Sequence, residues 1–156
     1  MSNEQSTISV SRVIDAPAGD IFHLLSNPER HHELDGSGMV VSDEKTDRIA
    51  KVGDVFTMNM NNSKMGDYKT DNHVTGFDHN KLLAWQTAVA GTEPAGWEWM
   101  WELESMGPDS TEVTLTYDWG KVTDKETLKK VSFPMVSKEE LEGSLNKLAA
   151  AVSSGS

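Results

Sequence analysis

The sequence predicts an α+β domain: a curved antiparallel sheet of six or seven strands around a long C-terminal α-helix, with two short helices after the first strand. Three observations carry that expectation. Trp97, Trp99, Trp101 and Leu103 alternate with Glu98, Met100, Glu102 and Glu104. As a strand, this run has one apolar aromatic face and one mostly acidic, wet face; as a helix it would scatter the indoles around the cylinder. Most of the chain from 39 to 119 alternates in the same way between short turns, the signature of an antiparallel meander solvated on one side. The one long amphipathic stretch lies near the C-terminus, where Leu141, Leu145, Leu148 and Val152 share a stripe. A sheet with one apolar face needs a cover, and that helix is the available one.

The elements follow in order. Residues 1–7 read as a flexible polar tail, 8–152 as a single domain and 153–156 as a short C-terminal tail. Ile8 and Val10, with Arg12 in line, mark the first strand, and Val13 breaks its pattern. Pro17 is expected at the first position of a short helix bearing Ile21, Leu24 and Leu25, because proline lacks the N–H that has no partner there. Asn27 and Pro28 repeat the device for a second short helix, with Glu29 near its positive end. Asp35-Gly-Ser-Gly38 is a turn. Strands are expected at 39–41, at 55–60 with Phe56, Met58 and Met60 on one face, at 68–77, at 81–89, at 96–104 and at 112–119. In the last of these, Val113, Leu115, Tyr117 and Trp119 share a face. Thr123 to Glu126 has capping-box spacing and opens a helix with Leu128 and Val131, limited by Pro134. Ser137 to Glu140 is a second capping box and opens the long helix, in which Gly143 costs roughly 1 kcal/mol of propensity against Ala.

Composition narrows the function. With 14 Lys+Arg against 25 Asp+Glu, the net charge is −11. An acidic chain without a basic cluster is a poor partner for nucleic acid or an anionic membrane surface. No apolar run approaches the roughly 18–20 residues of a membrane span, so no integral membrane contact is expected. The absence of cysteine excludes disulfides, thiolate chemistry and Cys-type zinc sites, and suits a reducing cytoplasm, the expected location. No serine-nucleophile elbow or phosphate-cradling glycine loop is present. Nothing in the sequence calls for a cofactor, and no oligomer is specified.

Two constellations remain. The first is aromatic and methionine-rich: Met58, Met60, Trp85, Trp97, Trp99, Trp101, Tyr117 and Trp119. It reads either as an ordinary packed core or as the lining of a ligand cavity, since tryptophan supplies flat apolar area and methionine adapts to varied shapes. The second is His31-His32-Glu33-Leu34-Asp35. His31 and Asp35 are four apart, so on an α-helix they could share a face and act as an acid–base pair. The alternatives are a solvated helix end with Asp35 capping the turn, a polar lip that orients a ligand, or part of a metal site lacking its remaining ligands.

Several segments together give the chain a family likeness: Ile14-Asp-Ala-Pro17 leading into Ile21-Phe-His-Leu-Leu25, Asn27-Pro28 to His31, Asp35-Gly-Ser-Gly38, Leu83-Ala-Trp85, and Thr111-Glu-Val-Thr114 with Leu115 and Tyr117. Over residues 8–152 the chain resembles the START / birch-pollen-allergen helix-grip superfamily (SRPBCC), in its polyketide cyclase/dehydrase-like branch. The resemblance implies a helix-grip fold with a hydrophobic-ligand pocket under the C-terminal helix, and many members are binders without chemistry. The expected function is binding of a hydrophobic or aromatic small molecule, lipid- or polyketide-like, with Phe133, Leu141 and Leu145 joining the aromatic set in the lining. The alternatives are a cofactor-independent cyclase, dehydratase or isomerase, in which His31 or Asp35 moves a proton and Tyr117 donates to an enolate oxygen, and a co-chaperone-like interaction module.

Overall fold

Alternating burial along each strand sets the architecture. In the computed structural model, which describes residues 6–44, 47–63, 66–94, 96–123, 125 and 136–154, the strands are β1 (Thr7–Ile14), β2 (Val40–Asp43), β3 (Val55–Asn62), β4 (Gly66–Asp78), β5 (Leu82–Val89), β6 (Glu98–Gly107) and β7 (Ser110–Asp118). They form one seven-stranded sheet in the order β1-β7-β6-β5-β4-β3-β2. Neighbouring strands pair antiparallel throughout the sheet. The meander therefore runs from β2 to β7, and β1 closes onto β7. The helix expected from the capping spacing at 123–126 and the candidate Phe133 lie outside the described residues.

Register carries the core across the sheet. Ile8 pairs with Tyr117, Tyr117 with Trp99, Trp99 with Trp85 and Trp85 with Val74. The next inward row is Val10, Leu115, Trp101, Leu83 and Phe77. Side chains directly opposite one another on a face are in contact range, so each row packs as a continuous apolar band. On the other face of β6, Glu102 and Glu104 are exposed, and Glu98 accepts from the Thr75 hydroxyl at 2.5 Å.

The helices depart from expectation in their details. α1 (Ala18–Leu25) begins one residue later than its proline suggests: Pro17 is the extended N-cap (φ −65°, ψ 147°). The second short helix is a 3₁₀ helix, Pro28–Glu33, with Asn27 Oδ1 accepting from Glu29 N at 3.2 Å. Its cause is legible in burial, since Pro28, His31 and Leu34 are the inward residues. A spacing of three matches the three-residue 3₁₀ turn rather than the α-helical one.

α2 (Lys138–Ser154) opens on a complete capping box: Glu140 N donates to Ser137 Oγ at 3.1 Å and Ser137 N to Glu140 Oε1 at 2.9 Å. Leu141, Leu145, Leu148 and Ala151 are its buried stripe. The helix lies chiefly over β1 and touches β7, and Arg12 Nη1 donates to Asn146 Oδ1 at 2.6 Å. Its first turns meet the 35–38 turn at close range. A Cβ on Gly36 would lie 2.1 Å from Glu140 O and 2.7 Å from Ser144 N, both backbone atoms, whereas a Cβ on Gly143 would meet only Gly36 Cα at 3.7 Å.

These contacts separate the two glycines. Gly36→Ala is expected to destabilise the fold by about 1–3 kcal/mol through overpacking. Gly143→Ala, which meets ordinary contact and gains helix propensity, should be neutral or stabilise by up to about 1 kcal/mol. Chemical denaturation of the two variants beside the parent checks both; equal losses would mean that the close approach at Gly36 is absent.

Candidate functional site

Because α2 covers the β1 and β7 side, the concave face of β3 to β6 keeps space beneath the first turns of the helix. A cavity of about 250 Å³ occupies it. Its floor and walls are Phe56, Met58, Met60, Trp85, Trp97, Trp99, Trp101 and Leu115, and Leu141 and Ser144 of α2 close one side. The lining runs from fully buried Leu115 to Val89, 47% exposed, so the space reaches the surface.

Of the residues expected to line such a space, Met58, Met60, Trp85, Trp97, Trp99, Trp101 and Leu141 do so. Tyr117, Trp119 and Leu145 do not. Tyr117 is completely buried behind the wall, stacked on Trp99 with ring centroids 4.2 Å apart and planes within 8°, and Trp119 packs on it at 5.1 Å. The phenol therefore props the indole rather than facing a guest. Leu145 lies one helical turn beyond Leu141, in the core.

The polar cluster divides between its alternatives. His31 is buried at 8% exposure and lines the cavity. Its ring stacks on Trp85 (5.3 Å, 20°) and meets Phe56 edge-on (5.2 Å). Nε2 lies 2.6 Å from Leu25 O. A carbonyl only accepts, so Nε2 carries the proton. Of the alternatives, the His31–Asp35 acid–base pair is not formed, because the 3₁₀ turn brings Leu34 rather than Asp35 into line with His31. Asp35 caps its own turn, as one alternative has it: Oδ1 accepts from Ser37 N at 2.9 Å and Ser37 Oγ at 2.6 Å, and Oδ2 from Val40 N at 2.8 Å. His32 is exposed, and Glu33 is held by a two-pronged bond from Arg30.

A second polar group was not anticipated. Thr70 and Asn72, both buried, stand on the inner face of β4. Asn72 Nδ2 donates to Phe56 O at 3.1 Å and Thr70 Oγ1 at 3.3 Å, and Thr87 Oγ1 donates to Asn72 Oδ1 at 2.7 Å. All three line the cavity. The signal for them was the shared parity of Thr70 and Asn72 with Val74. Among the described residues no group of three His, Asp or Glu side chains is placed to hold a metal ion.

A separate surface cleft of about 440 Å³ lies between α1, residues 48–50 and the β4–β5 turn. Arg48 Nη1 donates there to His23 O at 2.6 Å and Ser26 Oγ at 3.0 Å, which pairs the cation with the negative end of α1.

Burial drives the His31 imidazole down to about 4, against the opposing pull of the Leu25 carbonyl and of the Asp43 and Asp35 charges. In an unfolded chain the ring takes its proton near pH 6.5. Between those values the unfolded state holds more protons, so stability rises with pH and is lost as pH falls from about 6.5 towards 4. The unfolding free energy of the parent minus that of His31→Phe should accordingly shrink by about 3 kcal/mol between pH 7 and pH 4. Denaturant titrations at both pH values measure it; a constant difference would mean a water-exposed ring.

Comparison with known proteins gives this geometry its family. The uncharacterized protein Rv0088 of Mycobacterium tuberculosis (strain ATCC 25618 / H37Rv) is 36% identical over 112 residues, 72% of this chain and 47% of its own length. The chain thus spans about half the length of the curated relatives it matches. Among solved structures, protein Ms6760 of Mycobacterium smegmatis aligns with a TM-score of 0.69 at 16% identity, covering 97% of this chain and 93% of that one. DynU16, from the dynemicin biosynthetic locus, aligns with a TM-score of 0.63 at 14% identity, covering 97% of this chain and 49% of that one. These likenesses show the helix-grip fold. The model of the family described as "Activator of Hsp90 ATPase homolog 1-like protein" matches residues 15–153, and the chain belongs to that family, within the helix-grip superfamily.

Proposed function

We propose that this protein binds a compact apolar or aromatic small molecule between the sheet and α2. The observation that carries the reading is the cavity of about 250 Å³ walled by Trp97, Trp99, Trp101, Phe56 and Met58. Ligand pockets are concave, mostly apolar and furnished with a few placed polar groups. Here those groups are His31 and the Thr70–Asn72–Thr87 set. The volume lies just below the roughly 300 Å³ lower end of ordinary small-molecule sites, which favours one- or two-ring compounds over long lipids or large polyketides. A cysteine-free chain suits a reducing cytoplasm, where we place this binding.

The enzymatic alternative asks for a carboxylate-held imidazole and a phenol facing the substrate. Asp35 is spent on its turn and Tyr117 sits behind Trp99, so the geometry favours binding. A second reading rests on the family match, whose description names an Hsp90 ATPase activator: an interaction module that uses the outside of the same fold. Stimulation of an Hsp90 ATPase by the purified chain would support it.

Calorimetric titration with the neutral two-ring probe 1-naphthol tests the binding reading. Saturable uptake near one equivalent is expected. Trp97→Ala and Trp99→Ala should each weaken it roughly tenfold, from about 1–2 kcal/mol of lost aromatic contact. Met106→Ala, exposed at the far end of β6 and off the cavity, should leave it unchanged. Absence of uptake by the folded parent overturns the proposal.

A further inference from the structure

Most polar groups near the cavity are already committed. Asp35 accepts from its own turn, and Ser37 Oγ donates to Asp35 and accepts from Met39 N at 3.2 Å. Ser144 Oγ accepts from Gly36 N at 2.8 Å and donates back to Glu140 O at 3.4 Å. His31 is different. Its Nε2–H is fixed on Leu25 O, which in a neutral ring leaves Nδ1 as a bare lone pair, an acceptor with nothing to donate. Nδ1 has no hydrogen-bond partner among the described residues. The ring borders the cavity and is held from both sides, stacked on Trp85 and edge-on to Phe56. The acceptor-bearing ring is thus held rigidly among aromatic walls at the cavity.

We infer that His31 Nδ1 is the specificity-determining acceptor of this cavity and that its ligand is a small aromatic molecule carrying a hydroxyl or N–H donor, a phenol-like compound rather than a plain hydrocarbon or ether. This rests on the binding reading above and narrows it. A donor on the guest supplies the bond that no described residue makes to Nδ1, whereas an ether at the same place sets lone pair against lone pair, and a buried acceptor left unmet is costly. The acceptor takes part in binding only; no proton transfer is required.

The experiment compares two probes of nearly equal shape, 1-naphthol and 1-methoxynaphthalene, titrated calorimetrically at neutral pH into the parent and into His31→Phe. The parent should bind the naphthol roughly three- to tenfold more tightly, the range expected for one net hydrogen bond. In His31→Phe the preference should fall to about one. If that variant does not fold, ¹⁵N NMR of the parent's imidazole supplies the second readout: Nδ1 should be the unprotonated nitrogen and its resonance should move with naphthol but not with the ether. Equal affinity of both probes for the parent, a preference that survives in His31→Phe, or an Nδ1 resonance that the naphthol leaves in place overturns the assignment while leaving the cavity reading intact. Failure of both probes to bind the folded parent overturns the two together.

Discussion

The pairing of β6 between β5 and β7 governs everything inside the molecule. Because side chains alternate with a period of two, the register that sets Trp99 opposite Trp85 and Tyr117 also sends Glu98, Glu102 and Glu104 to the other side. A slip of one residue would bury acids and expose three indoles. Among the described residues the inward rows face α2, with α1 and the 3₁₀ helix packing on Phe77 and Trp85, and α2 sits over one edge of the sheet, with β1 and β7 beneath it. Space remains over the other strands because no described element fills it. Its walls stay open because they are propped from behind: Trp99 leans on the fully buried Tyr117, which in turn meets Trp119. Broad rings braced in this way resist collapse into the void better than flexible aliphatic chains would.

Much of this was legible in the residues. Alternation in β6 and β7 fixed which face turns inward, and the stripe Leu141, Leu145, Leu148 identified the covering helix. The capping box at Ser137 and Glu140 located its start to within a residue. These features are local and periodic, so one stretch of sequence suffices to read them. The membership of individual residues in the cavity is not of that kind. Tyr117 and Trp99 point to the same face of neighbouring strands, yet one ring lies in front and the other behind, a distinction set by stacking between strands and by the offset of α2. Leu141 and Leu145 share a stripe and differ by one turn, which is enough to place one at the cavity and one in the core.

The alternatives open for His31 are separated by the period of its helix. Four-residue spacing assumes an α-helix, whereas Pro28, His31 and Leu34 recur every three residues, as a 3₁₀ turn requires. That single change of period separates the imidazole from Asp35 and presents it to Leu25 O instead. An ionisable cluster that looks like a solvated end in sequence thereby becomes a neutral, buried ring against Trp85. The inner polar residues of β4 escaped notice for the opposite reason: Thr70 and Asn72 look like solvent-facing positions until Val74 fixes their parity.

The turn at 35–38 ties together parts of the chain far apart in sequence. Its amide at Gly36 bonds Ser144 of α2, Lys147 Nζ donates to Asp35 O at 3.2 Å, and the Asp35 carboxylate holds Val40 N at the start of β2. Glycine lets the helix backbone settle directly on the loop, so neither can shift without the other. The rim of the cavity and its lid are in consequence one mechanical piece. Widening the gap between them would therefore require the helix and the sheet's outermost strand to move together, so its width is set by the turn that joins them.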